Sequence, residues 1–463
     1  MYIMIIFNIM SVNITNSLIS YIKNVITPSS EKCDELTNAI KENKVVHENG
    51  VISMGLCDTS DFALWKIFGA NIPIIRDYFG PIIVITNHAV AEEILKVAKN
   101  TTNDSKHPEE GYCIGNRSTK IIKKQVGTNN LFGCNESETH RMLRIGIKNS
   151  LNSYFGDNVY SQIQKIMLSH VKNWLIELSC EKSFILQEAI DFIVSTSFCV
   201  ILLNKNPDEK YIKDIKKTFK SFSERVSSPN PFKQLINYLM DSSEDEIIDD
   251  GLCDIIQKNI PDIPNCGKET ITMLEKVGFG NLHSVLCSLF YRISTNEQYV
   301  INKLNKEIVV NIQDDITFNN ISIRKNNMEK FFFETCRLAP PVWLQARKTG
   351  ELGLQVNGIS KIAPYSLILI SNFIIGRNIR KTDPHVFDPD KIIDNEHSFF
   401  NPFSFSSSPN SCVGRHIAIP IIELILGELI NNYKLNLIEG NDEYNGDVAL
   451  KFKNKIICKL IKK

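Results

Sequence analysis

The segment Phe405-Ser-Ser-Ser-Pro-Asn-Ser-Cys412-Val-Gly414 sets one cysteine in a polar, turn-rich loop, with an apolar stretch directly after it. A thiolate needs such surroundings. Backbone N–H groups of the loop and of a following helix N-terminus can hydrogen-bond the sulfur and hold it anionic. Gly414 omits a side chain where backbone must come close to the sulfur or to a flat ligand, and Phe405 can cover the sulfur from water. Against this stands the plainer reading of an isolated cysteine as a small core residue. Glu334 and Arg337 are three apart, so on a helix they share a face and can pair. Left on the surface, such a pair contributes little. In Gly278-Phe-Gly-Asn-Leu-His283, Asn281 cannot release a proton and Leu282 has no donor. His283 titrates near neutral pH and can move one, although a core or helix-surface histidine is the plainer reading.

These groups need elements to hold them. Pro81-Ile-Ile-Val-Ile-Thr86 reads as a buried strand. Asn87 follows as the N-cap of a helix over His88–Lys96. Ile163, Ile166, Met167, Val171, Trp174 and Leu178 recur at helical spacing, as do residues of Phe184–Leu203. Gly267–Ile293 reads as one long helix, loosened at Gly278 and Gly280. A further helix over Met328–Leu338 is stopped by Pro340-Pro341, because a residue before proline is pushed out of helical dihedrals. Leu367–Ile370 and its neighbours suggest small sheets. After Cys412 come a last helix, which kinks or starts at Pro420, and then strands to Lys463. Helix dominates, with minor sheet at both ends: mainly α with minor β, an α+β class.

Lys+Arg and Asp+Glu are equal at 52 each in 463 residues, so no net charge draws the chain to phosphate backbones, and no basic patch points to nucleic acid. Twelve cysteines are scattered without any C-x-x-C pair, which argues against a zinc ribbon and for a reducing compartment. The acidic run Asp241–Asp250 reads as a solvated face. MYIMIIFNIM is apolar, but polar residues from Asn8 onward interrupt it before the roughly 20 apolar residues of a membrane span. Residues 1–44 are read as an N-terminal segment, with a weak anchor or an interfacial helix left open and the balance against an anchor. Gly278-Phe-Gly280 lacks the third glycine and preceding strand of a dinucleotide fingerprint, and no zinc-protease or nucleophile-elbow motif occurs. NADPH or flavin is therefore expected on a partner.

FSSSPNSCVG resembles the cytochrome P450 haem-binding signature F-x-x-G-x-[RH]-x-C-x-G, with Phe405, Cys412 and Gly414 matching. Ser408 replaces the first glycine and Asn410 the basic residue. Glu334-Thr-Cys-Arg337 before Leu-Ala-Pro-Pro-Val resembles the family's E-x-x-R helix and its proline stop. Asp383-Pro-His-Val-Phe387-Asp-Pro389-Asp-Lys391-Ile resembles its P-x-R-F loop, with Lys391 in place of the arginine. A lysine keeps the charge and loses the planar fork. Thr139-His140-Arg141-Met-Leu-Arg144 resembles the helix whose W-x-x-x-R pair meets the haem propionates. Gly278–His283 resembles the oxygen-activating motif [AG]-G-x-[DE]-T-[TS], with Asn281 for the acid and Leu282 for the threonine.

The resemblance implies a P450-like single domain over 45–463 with a long central distal helix. It implies haem b as cofactor with Cys412 as the axial iron ligand, and Phe405, Gly414, Arg144, His140, Arg347 and Asn410 around the haem. Glu334, Arg337 and Lys391 would form a bracing triad, and Asn281 and His283 would be the distal groups. The implied activity is monooxygenation of an apolar or lipid substrate, with electrons from an NADPH-dependent reductase or a ferredoxin. The implied setting is intracellular, in the cytoplasm or on the cytoplasmic face of the endoplasmic reticulum. Two alternatives stay open: reductase-independent rearrangement or dehydration of a lipid hydroperoxide or endoperoxide, and a degenerate haem-binding protein without turnover. Substrate contacts are expected from Gly111–Lys124, Phe219–Met240 and the distal helix.

Overall fold

A computed structural model describes residues 46–47, 51–53, 82–97, 113–114, 125–132, 134, 137–154, 157–204, 206–227, 251–307, 327–349, 353–356, 362, 367–380, 383–391, 412–446 and 449–463. The acidic run 241–250 and the N-terminal segment 1–44 lie outside these residues, as does nearly all of the 111–124 stretch.

Apolar runs of β-branched residues make the centre of the first sheet. Strands β1 (Val46–His47), β2 (Val51–Ser53), β3 (Ile82–Ile85) and β4 (Cys113–Ile114) lie early in the chain. They join β6 (Gln345–Thr349) and β7 (Leu367–Ile370) in the order β1-β2-β3-β7-β6-β4. Among the described strands, β3 and β7 alone run parallel, in register from Ile82↔Leu367 to Ile85↔Ile370. Both strands are apolar throughout, as expected where a strand is covered on both faces. Asn87 then starts helix α1 (His88–Val97), its Oδ1 accepting from the N–H groups of Ala89 at 2.9 Å and Val90 at 3.3 Å. Val90, Ala91, Ile94 and Leu95 form the buried stripe of that helix.

Five helices follow: α2 (Ser137–Tyr154), α3 (Asp157–Cys180), α4 (Leu186–Leu203), α5 (Glu209–Ser227) and α6 (Leu252–Asn259). Phe184 and Ile185, expected to be helical, instead form a short strand β5 that pairs with the chain's last strand. Among the described residues, α4 alone is long and apolar enough to cross a membrane, yet most of it is buried against its neighbours. A mostly buried helix of this composition serves a soluble core equally well.

The long central helix is present as α7, residues 266–295, and is not uniform. Cys266–Met273 and Phe279–Thr295 are α-helical, and Leu274–Gly278 between them forms a π turn. The loosening read at Gly278 and Gly280 thus appears as a turn that ends at Gly278. Beyond Phe279 the helix is buried nearly all round, with Phe290 set against Trp174 of α3 at 6.0 Å between ring centroids. Helix α8 (Asn327–Leu338) ends before Pro340, and α9 (Asn372–Asn378) is capped by Ser371, whose Oγ accepts from the Ile374 N–H at 3.3 Å.

Helix α10 (Arg415–Asn432) continues straight on from Gly414. Pro420 is inside it, so the helix neither starts nor ends there, and the His416 carbonyl receives no N–H from position 420. The chain closes with β8 (Tyr433–Glu439), β9 (Tyr444–Gly446), β10 (Leu450–Phe452) and β11 (Ile457–Lys462). Strand β11 lies between β5 and β8, and β9 pairs with β10. One apolar cluster gathers residues from Ile83 to Leu460.

Glu423 of α10 has a buried Oε2 with no hydrogen-bond partner, and loss of hydration pushes its carboxyl up to about 8. A carboxyl raised on folding is protonated in both states below the ordinary value of 4.5 and costs nothing there. Between that value and the raised one, the unfolded chain is ionised while the folded one is not, so stability falls as pH rises through this window. Glu423→Gln removes the charge at all pH. In urea unfolding at pH 5 and pH 8, wild type should lose on the order of 2 kcal/mol relative to the variant between the two conditions. Parallel curves for the two proteins would mean that Glu423 is not held neutral.

Candidate functional site

Cys412 stands three residues before the first residue of α10, where the unfilled N–H groups of a helix start point outward. Hydrogen bonds from the Gly414 and Arg415 N–H groups to its sulfur pull the thiol down, as do the charges of Arg144 and Arg415. Loss of hydration outweighs them and leaves the thiol above its ordinary value. The side chain is nevertheless open to solvent-sized space. A cysteine exposed in this way is not packed into the core. The small-core reading of this cysteine fails on that point.

Gly414 has φ −66°, which any residue adopts, and a Cβ there would stand 3.4 Å from Cys412 Sγ, an ordinary contact. Among the described residues, neither backbone strain nor a close neighbour calls for glycine. What it leaves open is the space beside the sulfur.

Arg144 lies on α2 within electrostatic reach of Cys412, and desolvation lowers its pKa. His140, one turn earlier, has its pKa lowered by desolvation first and by Arg144 second, while a hydrogen bond with the Leu131 backbone acts the other way. The structure therefore brings Cys412, Arg144, His140 and Arg415 to one place. Arg415 was not singled out in the sequence, although its position directly after Gly414 was a usable signal. Arg347 is buried on β6, in register with Ile368 of β7. Phe405 and Asn410 lie outside the described residues, as does Ser408.

The distal residues are disposed differently from expectation. His283 points at α4. Its Nε2 lies 3.1 Å from the Gln187 carbonyl and 3.3 Å from Asp191 Oδ1, and its ring stacks on Phe279. Desolvation lowers its pKa, so the ring favours the neutral form. The imidazole is a cross-link between α7 and α4, as the plainer reading held, and it is corrected as a candidate for catalysis. Asn281 donates from Nδ2 to the Val277 carbonyl at 3.1 Å, and its Oδ1 is buried without a hydrogen-bond partner. Leu282 is buried apolar surface. A Cβ at Gly280 would crowd the Phe219 ring, which would have to shift.

Glu334 and Arg337 are buried and doubly bonded, Nε to Oε2 at 2.8 Å and Nη2 to Oε1 at 2.9 Å. Arg337 also donates to the carbonyls of Gly376, Pro384 and Val386 at 3.0, 2.8 and 2.9 Å. Lys391 does not complete this group. Its side chain is 55% exposed and pairs with Asp388 at 3.4 Å. The second cation on Glu334 is Arg380, with Nη1 2.7 Å from Oε1. The physical reason is directional: the fork of Arg380 comes from the end of α9 into the protein, whereas Lys391 sits in a 3-10 turn at the surface. Sequence spacing gave no signal for Arg380.

Comparison with known proteins bears on the same residues. The family model described as Cytochrome P450 matches residues 269–455. Cytochrome P450 4g15 of Drosophila melanogaster is 32% identical over 133 residues, 27% of this chain and 23% of that one. Alkane hydroxylase MAH1 of Arabidopsis thaliana is 26% identical over 187 residues, 38% of this chain and 35% of that one. A solved structure described as retinoic acid bound cyanobacterial CYP120A1 superposes with a TM-score of 0.61 and 18% identity, over 83% of this chain and 90% of that one.

Residues 269–455 belong to the cytochrome P450 family.

The sequence matches span roughly a quarter to a third of those relatives' own length. The likeness to the solved cytochrome P450 carries the fold across most of the rest. The cofactor of a cytochrome P450 is haem, iron protoporphyrin IX. The residues fit it: an accessible soft sulfur, helix-start N–H groups hydrogen-bonded to that sulfur, no side chain at Gly414 beside it, and guanidinium groups nearby for anionic propionates.

Gly376 is where α9 meets the end of α8. A Cβ there would stand 2.3 Å from the Arg337 carbonyl oxygen. Backbone cannot yield as a side-chain tip can, so Gly376→Ala should cost about 1–3 kcal/mol and lower the melting temperature by several degrees. An unchanged melting curve would show that α9 packs elsewhere.

Proposed function

We infer that the protein is a haem-thiolate oxidoreductase, with Cys412 as the axial ligand, that inserts one oxygen atom from O₂ into an apolar substrate. The observation that carries this reading is the setting of Cys412: an accessible sulfur that receives the Gly414 and Arg415 N–H groups beside the Arg144 charge. Thiolate-bound haem supplies an electron-rich iron that favours O–O cleavage. The Gly414 and Arg415 N–H groups favour the anionic sulfur that iron would bind, and Gly414 leaves space beside it. Arg144, His140, Arg347 and Asn410 are assigned to the haem propionates. An apolar substrate is consistent with the name of the alkane hydroxylase relative and with the apolar side chains Val126, Phe222 and Met273, which cluster apart from the main core. Electrons are assigned to a separate NADPH-dependent reductase or ferredoxin. The setting is assigned to a reducing intracellular compartment, in the cytoplasm or on the cytoplasmic face of the endoplasmic reticulum.

One observation favours a second reading. Asn281 and Leu282 release no proton, and His283 is turned to Gln187 and Asp191. Oxygen activation then draws its protons through water. A lipid hydroperoxide or endoperoxide, which already contains the O–O bond, needs no such supply, and its rearrangement needs no reductase. A third reading, haem binding without turnover, rests on the replacements Ser408, Asn410 and Leu282.

Two measurements separate these readings. The carbon monoxide complex of the reduced protein should show the long-wavelength band of thiolate ligation, and Cys412→Ser should abolish it. A band unchanged in the variant would remove the proposal. Purified protein is then given a fatty-acid hydroperoxide without reductant. Slow consumption, with substrate oxidation only when a reductase is added, is the expected result, whereas rapid turnover establishes the second reading. Inertness under both conditions establishes the third.

A further inference from the structure

We propose that Arg292, Arg377 and Tyr444, drawn from the end of α7, from α9 and from β9, form a binding site for a phosphate group. None of these residues is assigned to the haem, so the site does not depend on the function proposed above.

Charge comes first. Glu334 is taken by Arg337 and Arg380, and Asp388 is paired with Lys391. Asp442 accepts from Nη2 of Arg292 at 3.0 Å. Arg377 lies within electrostatic reach of Tyr444, Arg337, Arg292 and Asp442, and among the described residues it has no ion pair of its own. Cations therefore outnumber carboxylates in this part of the molecule. Loss of hydration pushes the Arg377 guanidinium down to about 10, Tyr444 and Asp442 acting against that shift and Arg337 and Arg292 with it. A desolvated guanidinium without a carboxylate is stabilised by an anion that reaches it.

Unfilled donors come second. Arg292 Nε and Tyr444 Oη are buried without a hydrogen-bond partner. Arg377 donates from Nη1 to the Phe373 carbonyl of its own helix at 2.9 Å, its one hydrogen bond among the described residues. All three groups are held in place. Arg377 stands over the Phe373 ring at 3.5 Å, and Arg292 over the rings of Tyr291 and Phe387 at 5.3 and 5.2 Å. Tyr444 packs on Phe452 at 4.8 Å between ring centroids, and Phe452 on Tyr291 at 5.3 Å, which ties Tyr444 to the neighbour of Arg292. The charge of Arg292 and the buried Ser288 hydroxyl act on Tyr444, yet its oxygen completes no hydrogen bond. A phosphate group supplies what is missing: negative charge for Arg377, and acceptor oxygens for the guanidinium nitrogens and the tyrosine hydroxyl. Donors from three separate elements suit a tetrahedral group, whose oxygens diverge, better than a planar carboxylate. Entry is from the side of Asp442, whose side chain is 48% exposed.

The test is titration calorimetry of the haem-loaded protein with inorganic phosphate at constant ionic strength, with chloride as the balancing anion. Wild type should show one saturable site per chain. Arg377→Gln should weaken binding roughly tenfold. Arg377→Lys should fall between, because it keeps the charge and loses the fork, and Tyr444→Phe should weaken binding severalfold. Lys391→Ala, at an exposed cation outside the site, should bind as wild type does. The proposal is overturned if wild type gives no saturable heat, if Arg377→Gln binds phosphate like wild type, or if Lys391→Ala loses as much as Arg377→Gln. Should Arg377→Gln fail to fold, Arg377→Lys and Tyr444→Phe decide the matter, and wild-type affinity in both removes the site. Glycerol phosphate is titrated beside inorganic phosphate. Tighter binding of the monoester supports the site with an organic phosphate as its ligand, and equal or weaker binding supports it with free phosphate.

Discussion

Glu334 has a side chain with 0% exposure, and a carboxylate so placed loses several kcal/mol of hydration that its neighbours must return. Two guanidiniums and the Asp388 N–H do so, and each brings a piece of chain with it. Helix α8 contributes Arg337, α9 contributes Arg380 and docks through Gly376, and the loop 383–391 is held by three of its carbonyls. Removing one partner from such a cluster costs more than the surface pairs elsewhere in the molecule, because a buried charge is then left unmatched. The arrangement also explains why the proline stop after α8 matters. The chain must leave the helix at once if β6 is to take its place beside β7 in the sheet.

Elements with a strong period were legible in the sequence. The apolar run at Ile82–Ile85, the Asn87 cap, the buried stripe of α1, the long α7 and the strands after α10 all lie where apolar spacing and turn residues put them. Phe184 and Ile185 were misread because a strand of two residues has no period of its own. They are extended because Ile457 and Cys458 pair with them. That pairing lies more than 270 residues away, and local propensity does not report it.

The site was legible in part, and the pattern of success has a physical origin. Glu334 and Arg337 are neighbours on one helix, and Cys412 and Gly414 neighbours on one loop, so spacing alone implies contact. Arg380 meets Glu334 across 46 residues through a turn at Asp383, a meeting that no motif encodes. His283 shows the converse case. It stands where the resemblance looks for chemistry, and tertiary packing claims it for Asp191 and Gln187 instead. One helical position separates a residue that faces a cavity from one that faces a neighbouring helix, and spacing does not say which way a helix is rolled.

The π turn at Leu274–Gly278 bears on that roll. Such a turn holds one residue more than an α turn, which displaces the phase of the helix by about 100°. The first part of α7, where Glu269 accepts from the Asn129 N–H, and the last part, which carries Asn281 and His283, therefore do not share one helical face count. The extra residue rotates the register of the second half relative to the first by a fixed amount. The fixed offset thus sets which residues of the second half turn toward α4, His283 among them.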